Sequence, residues 1–221
     1  INDRLVPVFR AGINWQAAEY TFIRASFGQG YRFPSIAEKH ASTTLGSVVI
    51  IPNPDVLPES GWSAEAGIKQ GVAAGPLSGQ ADLSFFMSQN KDMIEYFLAT
   101  YEGQVGFRAT NIEQSRVYGG EFELILNGTF GDLGMMLNGG YTFTYPVEFN
   151  AITNRSTGDF LKYRRKHSGK MSVSASWKRI ECEVSLYARS KILRIDSFFL
   201  NQETGEVILP GFPAYWKEHN T

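Results

Sequence analysis

Apolar and polar residues alternate along eight stretches of the chain, at roughly 7–16, 20–28, 61–70, 79–90, 116–127, 134–145, 165–177 and 181–191. A period of two places successive side chains on opposite faces of an extended strand. The connectors alternate too. Short ones (17–19, 71–78, 128–133 and 178–180) separate the members of each pair, and long ones (29–60, 91–115 and 146–164) separate the pairs, with a tail after residue 192. That order predicts antiparallel strands crossing a membrane, with tight turns on one side and large loops on the other.

Splitting the stretches by phase gives one face without charge. It runs from Phe9, Ala11, Ile13 and Trp15 through Leu83, Phe85, Phe122 and Tyr141 to Val173, Trp177, Val184 and Leu186. The other face carries Arg10, Arg24, Glu65, Lys69, Asp82, Glu121, Glu123, Lys170, Glu183 and Arg189 among Ser, Asn, Gln and Thr. A soluble β-sandwich also alternates. Two features favour the membrane. The stretches are nearer the ~9–11 residues of a membrane strand than the ~5–6 of a soluble one. Large aromatics also sit at both ends: Trp15 and Trp177 by short turns, Phe27, Trp62, Phe143 and Tyr145 by long loops. An interfacial girdle requires that placement.

Composition adds little beyond exclusions. The 221 residues hold 21 basic and 22 acidic side chains, and mean hydropathy is −0.19. Lipid-facing and lumen-facing residues cancel in such an average. The balance gives no basic patch for nucleic acid. No apolar run reaches the ~18–20 residues of a membrane helix. Cys182 is the one cysteine and excludes an internal disulfide; its place in the apolar set fits a packing side chain better than a reactive thiol. His40, His167 and His219 have no paired metal spacing, and no G-x-S-x-G elbow is present, so neither a metal site, a cofactor nor an enzyme is expected. Gly28-Gln-Gly30 lacks the third glycine of a phosphate loop. The chain opens on Ile1-Asn2-Asp3 with no signal peptide, so a further amino-terminal region is expected.

The most specific segments are Gly30-Tyr-Arg-Phe-Pro34, Asn53-Pro-Asp-Val-Leu-Pro-Glu59 and Glu65-Ala-Gly-Ile-Lys69, followed by Asn111, Tyr118-Gly-Gly-Glu-Phe-Glu123 and Tyr163-Arg-Arg-Lys-His167. In order and spacing they resemble the carboxy-terminal half of TonB-dependent outer-membrane receptors. The resemblance implies an all-β fold: an antiparallel transmembrane β-barrel segment of about eight strands from a plugged barrel of about 22. Plug domain, TonB box and last strands would lie outside residues 1–221. It further implies a bacterial outer-membrane location and active import of a scarce ligand. Ferric siderophores are the commonest class, with cobalamin, haem and glycans as alternatives. The implied partners are the plug of the same polypeptide, the TonB-ExbB-ExbD complex, the ligand and outer-membrane lipid. A small complete eight-stranded barrel with a structural or adhesive role is the competing reading, and it requires the first and last strands to pair.

Arg10, Arg24, Glu65, Lys69, Glu121 and Glu123 are expected to face the lumen or the plug, or to form a solvated, mutually paired wall. Tyr31-Arg32-Phe33-Pro34 and the Asn53–Glu59 segment read as loop construction, since Pro34 fixes its own φ and biases Phe33 toward extended backbone. Glu59 is expected to hydrogen-bond near the barrel rim. Ligand contacts are assigned to loop aromatics and a cation: Tyr96, Phe97, Tyr101 and Arg108 in the second long connector, and Phe198 and Phe199 in the tail. Rings and guanidinium groups suit planar or anionic ligands. The same residues would also serve to pack the loops together.

Overall fold

The computed structural model describes residues 6–45, 48–101, 103–150, 153, 155–195 and 211–220. Eight strands are neighbours in one sheet, in chain order: β1 (Arg10–Ala18), β2 (Thr21–Arg32), β5 (Glu59–Ala74), β6 (Leu77–Tyr101), β7 (Gln104–Phe130), β8 (Leu133–Asn150), β10 (His167–Trp177) and β11 (Ile180–Arg189). Every neighbouring pair among them is antiparallel. Short strands β3 (Thr43–Leu45), β4 (Val48–Ile51) and β9 (Arg155–Phe160) attach at the end away from the tight turns. Two helices, α1 (Ile36–His40) and α2 (Phe212–His219), lie in the connector after β2 and in the tail.

Register carries the two-face pattern across all eight strands. One row joins Leu83, Phe122, Tyr141 and Gly169; the next joins Ala81, Leu124, Gly139 and Met171. A polar row runs Lys69, Asp82, Glu123, Gly140 and Lys170. The apolar face is left open: Ile13 is 66% exposed, Phe85 61% and Val184 65%. In water such a continuous apolar surface would associate or aggregate. The Leu133–Trp177 row and the Phe143–His167 row are ten residue steps apart along β8. At ~3.4 Å per residue and a tilt of ~40° that is about 26 Å, the height of a membrane barrel's apolar band.

The sheet departs from the sequence reading where strands outrun that band. Residues 91–115 are no loop: β6 and β7 are 25 and 27 residues long and pair from Leu77↔Gly128 to Tyr101↔Gln104. Residues 146–164 likewise contain the end of β8 and its partner β9. The turn set at 71–78 shrinks to Gly75-Pro76, and the strand expected from 165 begins at His167, with Arg165 in an isolated bridge to Ile192. A common cause explains the missed extensions. These segments lie beyond the band, where neither face meets lipid and the period of two is no longer required. Leu98, Ala109, Val147, Phe149 and Leu161 of these segments are buried, as is Val56 in the connector before β5.

The path of strands is open. Its ends are β1 and β11, which do not pair among the described residues, so the closure required by an eight-stranded barrel is not found.

Candidate functional site

Above the apolar band, the segments singled out in the sequence are sewn into one clasp. Arg32, the last residue of β2, stands opposite Glu59, the first of β5. Its Nη2 and Nε donate to the two Glu59 carboxylate oxygens at 2.7 and 2.8 Å, and its Nη1 donates to both Glu38 oxygens at 2.9 and 3.0 Å. The planar guanidinium fork suits this double grip, which an ammonium cannot copy. Glu38 is held in turn by a capping box. The Ser35 N–H donates to its Oε2 at 2.6 Å, and the Glu38 N–H donates to Ser35 Oγ at 3.2 Å. The Ser-x-x-Glu spacing that starts α1 was legible in the sequence, but the sequence reading had no helix there.

Two asparagines complete the clasp. Asn111 accepts the Leu57 N–H at 2.8 Å and donates to the Leu57 and Asp92 carbonyls at 2.9 and 2.7 Å. Asp92 has φ of +54°, unusual for a residue other than glycine, and Asn111 ties its carbonyl down. Asn53 donates to the Ala109 carbonyl at 2.8 Å and accepts from Arg108 Nη2 at 3.3 Å. Glu59 reaches sideways as well, accepting the Ile94 N–H at 2.6 Å. The expectation of loop construction therefore holds for Arg32, Asn53 and Glu59.

The clasp shifts its ionisable groups. Hydrogen bonding to Arg32 holds the Glu59 carboxyl below the usual range against the opposing cost of burial, helped by the Ile94 N–H. For Glu38, burial pushes upward, but the combined hydrogen bonds from Ser35 and Arg32 outweigh it and the net shift is downward. Hydrogen bonding to Glu59 raises the Arg32 pKa further, so it stays charged.

On the polar face of the sheet, Arg24 is the hub. Its Nη1 donates to Asp82 Oδ2 at 2.7 Å and its Nε to Glu65 Oε1 at 3.2 Å. To reach Asp82 on β6 the side chain crosses β5 over Gly67, where an added Cβ would lie only 3.0 Å from the guanidinium carbon. That explains the glycine of Glu65-Ala-Gly67-Ile-Lys69. Lys170 lies across Gly140 in the same way. Lys69, Glu121 and Glu123 share this face by register, and Arg10 stands opposite Gly28 toward the clasp end. There Arg10, Ser26, Ser63 and Asn90 help line a hollow of about 720 Å³ that reaches Arg32 and Glu59.

The aromatic residues assigned to ligand contact lie on strands. Tyr96, Phe97 and Tyr101 belong to β6 and Arg108 to β7, with Phe97 directly opposite Arg108. Two of the rings are capped by cations: Lys162 Nζ sits 3.7 Å from the Phe97 ring centre and the Arg108 guanidinium 5.5 Å from that of Tyr101. Tyr96 is 42% exposed. Phe198 and Phe199 lie outside the described residues.

A family model for the TonB dependent receptor-like β-barrel matches residues 3–207, and the chain belongs to that family. Solved structures show the same fold. The hemophore receptor HasR of Serratia marcescens, in complex with HasA and heme, superposes with a TM-score of 0.61 at 14% identity over 82% of this chain and 31% of HasR. The copper transporter OprC gives 0.60 at 18% identity over 85% and 26%, and the siderophore receptor PirA of Pseudomonas aeruginosa 0.56 at 15% over 82% and 33%. The chain thus spans between about a quarter and a third of the length of these neighbours. They are receptors and a transporter, not enzymes. No curated protein sequence matches the chain.

Proposed function

We propose that residues 1–221 form an arc of the barrel of an outer-membrane receptor that captures a scarce ligand at its loops and imports it with energy from the TonB-ExbB-ExbD complex. The observation that carries the reading is the register: within the band it collects the strand charges on one face and leaves an apolar face about 26 Å high on the other. An arc with two open edges is stable in a membrane only as part of a closed wall. The polar face would then meet the lumen or the plug of the same polypeptide, with Arg10, Arg24, Glu65, Lys69, Glu121 and Glu123 as its contact residues.

The ligand class favoured is a ferric siderophore. Family membership supports it, as does the grouping of Tyr96, Phe97, Tyr101 and Arg108 beyond the band, where rings and cations suit planar anionic chelates. Phe198 and Phe199 complete the proposed contact set. In a deletion strain, uptake of one labelled ferric siderophore is expected to fall to background, and in the wild type a protonophore should abolish it. Unchanged uptake of every siderophore, haem, copper chelate and cobalamin tested would overturn the proposal.

A further inference from the structure

The apolar face is not uniformly studded with side chains. A furrow of about 500 Å³ is walled by Phe85, Tyr118, Phe122, Tyr141 and Phe143, with Gly120 at its floor. Register continues it away from the loops. Gly169 stands beside Tyr141, and Gly139, two residues earlier on β8, faces open space with nothing within 4 Å of an added Cβ. Three positions without side chains thus lie around one tyrosine; the Phe85 ring packs against Gly120, whereas Gly139 and Gly169 leave the backbone accessible. At its loop end the furrow meets polar groups. The Tyr141 hydroxyl and His167 Nδ1 are 2.7 Å apart, and Lys166 Nζ lies over the rings of Tyr145 and Phe160 at 4.8 and 4.4 Å. The segment Arg164-Arg165-Lys166 contains no acid, and Arg165 is committed to the Ser190 carbonyl. Neither Lys166 nor the exposed Arg164 forms an ion pair among the described residues.

We infer that this furrow seats an acyl chain of a phosphorylated lipid from the leaflet on the loop side, with the phosphate held at Arg164 and Lys166. The inference rests on the membrane-spanning reading above. Glycines let the chain lie against backbone, aromatic edges bound it laterally, and the rim supplies cations at the height of a headgroup. A neutral lipid would fill the furrow without answering the charge. A soluble anion would answer the charge without using the furrow.

The test uses the complete native polypeptide in phosphatidylcholine nanodiscs containing either diphosphoryl lipid A or its fully dephosphorylated form. Retained lipid is read by native mass spectrometry. The wild type is expected to retain the phosphorylated form about ten-fold better, and the double variant R164E/K166E to lose that preference. Gly139→Leu, which adds a side chain in open space, should reduce retention of both forms while heat-modifiable gel migration stays native. Equal retention of the two lipids by the wild type, or a preference that survives R164E/K166E, overturns the inference. Failure of the polypeptide to enter any bilayer overturns the membrane reading and this inference together; normal entry without lipid discrimination overturns the inference alone.

Discussion

Arg32 shows how one side chain fixes a connector of 26 residues between β2 and β5. It carries four short hydrogen bonds to two carboxylates, yet its side chain is 45% exposed, so solvent screening reduces their worth. Arg32→Ala is expected to loosen residues 36–58 by about 1 kcal/mol locally. Hydrogen exchange should speed up there while the amides of β10 and β11 are unchanged. Arg32→Lys should restore little, because a point charge cannot hold both carboxylates. The same cluster gives a pH response. Glu38 and Glu59 both titrate below their ordinary value in the folded protein. Their contribution is therefore complete above the ordinary carboxylate range of about 4.5 and is lost as pH falls through the lowered folded values. Exchange protection of α1 should thus be flat from neutral pH down to about 5 and drop only below about 4. A loss centred near pH 6 would contradict this assignment.

At the scale of elements, the β6–β7 hairpin organises everything beyond the band. It continues for about 14 residues past Met87, roughly 45 Å of strand, and the connector segments dock on it. β4 runs parallel to β7 at Val49↔Gly106 through Ile51↔Arg108, on the edge of β7 beyond the end of β8. The approach is close enough that a Cβ on Gly106 would collide with the Val49 carbonyl and crowd Ile51. Gly106→Val is expected to detach β4 and expose residues 48–58 to limited proteolysis, with the membrane strands still resistant. Asn111→Ala removes three hydrogen bonds of this seam and should cost about 1–3 kcal/mol of local stability, read by exchange at Leu57 and Asp92.

For the whole molecule, the two faces make a paired prediction. Val173 and Ser174 are adjacent on β10, and alternation sends them to opposite faces. Val173→Arg places a charge near the middle of the apolar band and should destabilise the barrel in lipid by about 2–4 kcal/mol. Ser174→Arg, directed to the polar face, should change stability by less than about 1 kcal/mol. Denaturant titration of the complete polypeptide in vesicles distinguishes them, and equal effects would mean the face assignment is wrong.

Within the band, alternation alone determined strand phase, pairing order and the segregation of charge, because a strand with lipid-like surroundings on one side and polar ones on the other must write that difference into every second residue. The motifs around Arg32, Asn53 and Glu59 were likewise visible as loop-building chemistry. Their partners were not. Nothing local says that Arg32 grips Glu38, that Asn111 copies a strand's hydrogen bonds to Leu57, or that Tyr96, Phe97, Tyr101 and Arg108 stand on a long hairpin. Beyond the band the period of two fades, and contacts between residues more than fifty positions apart decide the structure. Those contacts exist only once the sheet has brought the connector and the hairpin together.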